Sequence, residues 1–192
     1  MEQQGEKREK RLYNVMFPIW FMLIMPVTWL VALPINFIVD SVVLWIAMKV
    51  MKLEDKKQIY KKSIVKIWLF GFLADIIGAL ILLTNQLVPS SSTFYQITKA
   101  VTWNPFENII GVLFVAFAVL IAGICIYLFN SKVSFHHVDL EEKKKKRLSL
   151  VLAIVTAPYL FFFPTSLLYH QYVGTSDAIA TVPMQEITSQ VK

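Results

Sequence analysis

Apolar and polar residues fall in long blocks along this chain. Residues 15–51 hold two charges, Asp40 and Lys49, residues 67–84 hold only Asp75, and residues 108–129 and 148–169 hold none. A helix rises ~1.5 Å per residue and a bilayer's hydrocarbon core is ~30 Å thick, so ~20 apolar residues cross it once. The two charge-free blocks are 22 residues each and predict one crossing apiece; the stretch 64–84 predicts another. The runs are continuous rather than alternating, which argues against the strands of a membrane barrel.

The first block, 37 residues long, exceeds one ordinary crossing and barely suffices for two. Pro34 lies at its middle, and proline removes a helix donor and clashes with the preceding turn. A break there predicts two segments, about 15–33 and 34–51, forming a transmembrane or re-entrant hairpin, with Pro18 and Pro26 kinking the first half. The rival is a single crossing with residues 15–33 lying partly in the outer interface. The expected fold is thus an all-α polytopic membrane protein: an N-terminal Pro-broken helical hairpin plus three transmembrane helices (64–84, 108–129, 148–169). Residues 15–169 form one transmembrane helical domain between a basic tail, 1–14, and a second tail, 170–192. Segment 85–107, with Phe94, Tyr95, Trp103 and Phe106, suits a short amphipathic helix at the outer interface.

Composition agrees with this reading. Apolar residues make up 56% of the chain and charged residues 17%, against ~45–50% and ~25% in soluble domains. A disordered chain, a disulfide scaffold and most water-soluble enzymes are excluded on these figures.

The net charge of +6 carries topological information. Fifteen of the nineteen Lys and Arg residues lie in three segments: the first 14 residues, residues 52–62 and residues 130–147. Segment 85–107 carries only Lys99, and the chain after Tyr169 only Lys192. Short basic loops stay in the cytoplasm. The rule predicts a multi-pass cell-membrane protein with a cytoplasmic N-terminus, cytoplasmic loops at 52–62 and 130–147, and an extracytoplasmic C-terminus. The run Lys143, Lys144, Lys145, Lys146 and Arg147 is expected to anchor this topology and to dock anionic lipid headgroups or an acidic partner. It lacks interleaved aromatics, so nucleic acid is not an expected partner.

Asp40 and Asp75 are the most informative polar residues. A carboxylate in the middle of a membrane helix is costly, by ~2.5–3.5 kcal/mol on insertion scales, and such residues face a partner or a cavity. Asp40 lies 11 residues before Met51 and Asp75 lies 11 residues after Ile64, the inner ends of their segments. Both therefore sit ~16 Å deep, level with each other on adjacent antiparallel helices. Asn36 is one turn from Asp40 on the same face, and Ser41 is its chain neighbour. These four residues are the expected proton- or cation-binding site. The competing reading is that the two acids simply hold helices together by hydrogen bonds.

Small residues mark helix-packing faces. Gly71 and Gly78 flank Asp75 on one line, and Gly111, Ala118 and Ala122 form another, for contacts within the chain or between chains. No phosphate-binding loop, dinucleotide fingerprint, zinc-binding helix motif or nucleophile elbow occurs. No enzyme activity, metal or cofactor is therefore expected. The favoured function is an integral membrane subunit that forms homo-oligomers or assembles with other membrane proteins, with a proton- or cation-sensitive carboxylate pair at the midplane. The alternative is a small ion channel or secondary transporter using Asp40 and Asp75.

Overall fold

The computed structural model describes residues 18–87 and 92–167. These residues are helical, and no strand occurs among them. The elements are α1 (Ile19–Met22), α2 (Trp29–Val50), α3 (Lys56–Gln86), α4 (Ser92–Trp103), α5 (Ile109–Phe129) and α6 (Glu142–Val155). Single turns of 3-10 helix lie at Pro26–Thr28, Pro105–Glu107 and Tyr159–Phe162, and a π-helical turn, Asn130–Ser134, extends α5.

Three helical stretches are long and apolar enough to cross a membrane: Pro26–Val50, Lys56–Gln86 and Ile109–Ser134. Their outward faces are apolar too. Leu30 on α2 is 80% exposed, and Ile38, Val65, Leu113 and Leu120 also point outward. Apolar surface this extensive, on the outside of a packed bundle, is what a helix facing hydrocarbon presents.

The expected break at Pro34 does not occur. Helix α2 runs through Pro34 without interruption. Pro34 is only the sixth residue of the helix, so its missing N–H removes one backbone bond close to an end that already lacks partners. The chain turns instead at Leu23–Met25, just before Pro26, where Met25 is extended as a pre-proline residue prefers. Side chains satisfy the carbonyls released there. Thr28 Oγ1 donates to the Met25 carbonyl at 2.7 Å and also to that of Met22, and Trp29 Nε1 donates to the Leu23 carbonyl at 2.9 Å. The N-terminal hairpin is thereby replaced by one long helix preceded by the four-residue α1.

The block 148–169 also differs from expectation. It was read as a full crossing, but α6 starts earlier, at Glu142, and stops at Val155. Pro158 cannot continue a helix, and a 3-10 turn follows it before Pro164. The segment 64–84 extends at both ends, to Lys56 and Gln86, because the lysine-rich stretch before it is itself helical. Only 109–129 matches its expected boundaries closely. The tails 1–14 and 170–192 lie outside the described residues.

Helices α2, α3, α5 and α6 form a closed ring, with contacts between α2 and α3, α3 and α5, α5 and α6, and α6 and α2. Because α6 is short, it closes one half of the ring. The other half is filled by α1 and the Tyr159–Phe162 turn, which touch each other and α3 or α5. Trp20 anchors this end: it is 2% exposed, and its Nε1 donates to the Val101 carbonyl of α4 at 3.1 Å.

Two apolar clusters fill the interior. One gathers Leu44, Met48, Ile67, Ile126, Phe135 and Leu148 near the basic loops. The other gathers Trp20, Leu82, Val101, Val115 and Phe161 at the far end. Helix α3 serves both, through Ala74 in the first and Ala79 in the second. Asp75 and Gly78 fall between them.

The basic loops meet. Residues of 52–62 and 138–144 line one cavity of about 380 Å³. This arrangement predicts thiol labelling in vesicles of chains with Cys125 replaced by Ser. Cysteines at Glu54 and Asp139 should label from one side of the membrane and a cysteine at Glu107 from the other. Labelling of all three from one side would contradict the topology.

Candidate functional site

Asp40 and Asp75 border one pocket, but they are offset by about a turn rather than level: Asp75 faces Asn36 and Asp40 faces Gly71. Asp40 is 5% exposed and Asp75 9%. Both line a small cavity of about 30 Å³, together with Asn36, Val39, Gly71 and Thr156. A water needs roughly 10–15 Å³ of such space, so the cavity has room for one water or one small cation. Asn36 Nδ2 donates to Asp75 Oδ2 at 3.3 Å. The other carboxyl oxygen of Asp75, Oδ1, is buried and has no hydrogen-bond partner. Such an oxygen is costly to leave unpaired, more so if it is charged.

Helix geometry explains the constellation. Asn36 and Asp40 are four residues apart on α2, and Gly71 and Asp75 are four apart on α3, so each pair projects from one face. Glycine at 71 lets the carboxyl of Asp40 approach α3. A Cβ there would lie 3.3 Å from Asp40 Oδ2. The helices are further clamped near Pro34, where Trp68 Nε1 donates to the Leu33 carbonyl at 2.8 Å and packs edge-on against Phe37.

Ser41 does not join the site. One residue's rotation turns it away from Asp40, and it accepts a hydrogen bond from the Tyr60 hydroxyl at 2.9 Å. Thr156 takes the place that Ser41 was expected to fill. It sits at the C-terminal end of α6, where its Oγ1 donates to the Leu152 carbonyl at 2.8 Å. A threonine two residues before a proline in an apolar block was the available signal. Its depth depended on where α6 ended, which the block's length obscured.

The small-residue faces meet each other within the chain. A Cβ at Gly78 would lie 3.2 Å from Ala122 Cβ and 3.4 Å from the Ala118 carbonyl oxygen. Gly111 packs against Ala100 of α4. The basic run divides among three directions. Lys144 lines the cavity between the basic loops, Lys145 pairs with Glu142 at 3.0 Å, and Lys143, Lys146 and Arg147 are exposed.

Comparison of the chain with family models, with curated proteins and with solved structures finds no match.

The packing contacts predict a contrast between glycines. At Gly78 a Cβ would meet Phe161 Cε2 at 2.9 Å, whereas at Gly123 the nearest atom is 3.7 Å away. Gly78→Ala should lower stability by about 1 kcal/mol or more, as overpacking does. Gly123→Ala should leave it unchanged or raise it through helix propensity. Thermal unfolding of both variants in one detergent checks this, and equal midpoints would contradict it.

Proposed function

We propose that this chain is an integral membrane subunit whose Asp40–Asp75 pair binds a proton or a small cation and reports its occupancy through helix packing. The supporting observation is the convergence of Asp40, Asp75, Asn36 and Thr156 on one small cavity, with Asp75 Oδ1 left unpartnered. Two carboxylates in surroundings this poor in water repel each other, and neither is well solvated. One shared proton, or one cation between them, relieves both costs.

The pocket is built from three helices, so its occupancy bears on how they fit together. Asn36 and Asp40 belong to α2, Gly71 and Asp75 to α3, and Thr156 to the end of α6. Of the three long helices, α2 is the least buried within the bundle. Its outward residues, including Ile35, Val42 and Ile46, form the face on which a second membrane protein or a second copy would pack. The glycine and alanine faces are already occupied within the chain, so association uses this larger side-chain surface. By the positive-inside rule the loops 52–62 and 130–147 face the cytoplasm.

The same carboxylates favour a second reading, a small carrier in which the pair takes up its ion from one side and releases it to the other. Intramembrane acids are common ingredients of such pathways.

Infrared difference spectra of the chain in nanodiscs, recorded across pH, test the binding site. The wild type should show a titrating protonated-carboxyl band that weakens in Asp75→Asn and is lost in Asp40→Asn/Asp75→Asn. A band unchanged by the double substitution would overturn the proposal. Ion flux into proteoliposomes that depends on both acids would select the carrier reading over the subunit reading.

A further inference from the structure

A second feature, independent of the carboxylate pair, lies on the outside of the bundle. An apolar groove of about 490 Å³ runs between α5 and α6. Its α5 wall is formed by Ala116, Leu120, Gly123 and Tyr127. Its other wall is formed by Leu150 and Ala153 of α6 and by Ala157 just beyond it, and Tyr159 and Phe162 stand at the end away from the basic loops. Small residues on both walls keep the groove open where side chains would otherwise meet.

The dimensions of the groove are informative. Ala116 and Tyr127 are eleven residues apart, so the wall is ~16 Å long. That is about half of a ~30 Å hydrocarbon core, the depth of one leaflet. A helix from another protein would need a contact surface running the full width of the membrane. The groove instead starts near the basic end of α5 and closes mid-bundle, at the turn that follows α6.

Charge identifies what enters it. The groove-facing residues of α6, Leu150, Ala153 and Ile154, follow a helical line. Counting back three, four and seven residues from Leu150 reaches Arg147, Lys146 and Lys143. These three cations are exposed, and among the described residues none of them forms an ion pair. Lys144 and Lys145 point elsewhere, to the loop cavity and to Glu142. A leaflet-deep apolar slot therefore opens onto three free cations at the headgroup level. Equal cations on a second copy of this chain would be repelled there. The phenol of Tyr127, the groove residue of α5 nearest that level, suits an interfacial position.

We infer that the α5–α6 groove is a binding site for one anionic phospholipid, with an acyl chain between the two helices and the phosphate held by Lys143, Lys146 and Arg147. This goes beyond a basic surface that attracts lipid in general, because the tail and the headgroup are held by one continuous site.

Native mass spectrometry of the full chain, with dioleoyl phosphatidylglycerol or dioleoyl phosphatidylcholine as probe, tests the site. The wild type should retain the phosphatidylglycerol preferentially. Lys143→Gln/Lys146→Gln/Arg147→Gln should weaken retention about tenfold or more, since each cation near a membrane surface contributes ~1 kcal/mol. Gly123→Leu, which fills the groove, should weaken it comparably, and Gly123→Ala should have a smaller effect with helix content unchanged. A water-soluble glycerol phosphate should not compete. Loss of retention in the lysine variant but not in Gly123→Leu, competition by the free headgroup, or equal retention of phosphatidylcholine would each overturn the inference.

Discussion

The burial of two carboxyl groups in the middle of an apolar bundle is the constraint on which the other features depend. An acid at this depth needs a partner, and that need dictates which faces of α2 and α3 meet. With Asp40 facing α3, residue 71 must be small, and it is glycine. With Asp75 facing α2, Asn36 is in place to donate to it. Thr156 then borders the pocket from the end of α6, which joins the short fourth helix of the ring to the polar layer. Apolar clusters lie on either side of this layer.

Packing elsewhere follows the opposite logic. Where no polar group fixes the register, shape does. Gly78 nests against Ala118 and Ala122 and beneath Phe161, so helices α3 and α5 pack closely without a hydrogen bond at that point. Between α5 and α6 the fit is looser, because Gly123, Ala153 and Ala157 are all small and no large side chain fills the gap. Within one bundle, small residues thus produce a tight contact in one place and an open slot in another. Whether a bulky residue such as Phe161 reaches across decides which.

Much of this was legible in the residues, and the failures have physical reasons. The all-helical build with three helices long and apolar enough to cross a membrane followed from the charge-poor blocks. Asp40 and Asp75 do border one pocket, but α3 begins at Lys56 rather than near Ile64, and the two acids are offset by about a turn instead of level. Asn36 was legible because it lies one turn from Asp40, whereas Ser41 was misplaced because adjacency in sequence turns a side chain away on a helix. Prolines were the main source of error. Pro34 looked disruptive because it is central in its apolar block, yet it falls within the second turn of α2, where a lost bond costs little. Pro26, in the first half of the block, turns the chain instead, helped by Thr28 and Trp29. Pro158 ends α6 outright, so a block long enough for a crossing yields a 14-residue helix and brings Thr156 to the pocket.

The most direct test of the account is a double-mutant cycle on Asp40 and Asp75. Unfolding free energies would be measured in one detergent for the wild type, Asp40→Asn, Asp75→Asn and the double variant. If the two carboxyls share one pocket, the effects should depart from additivity by about 0.5 kcal/mol or more, as contacting groups do. Additive effects would mean that the acids act separately, and the shared site at the centre of the bundle would have to be abandoned.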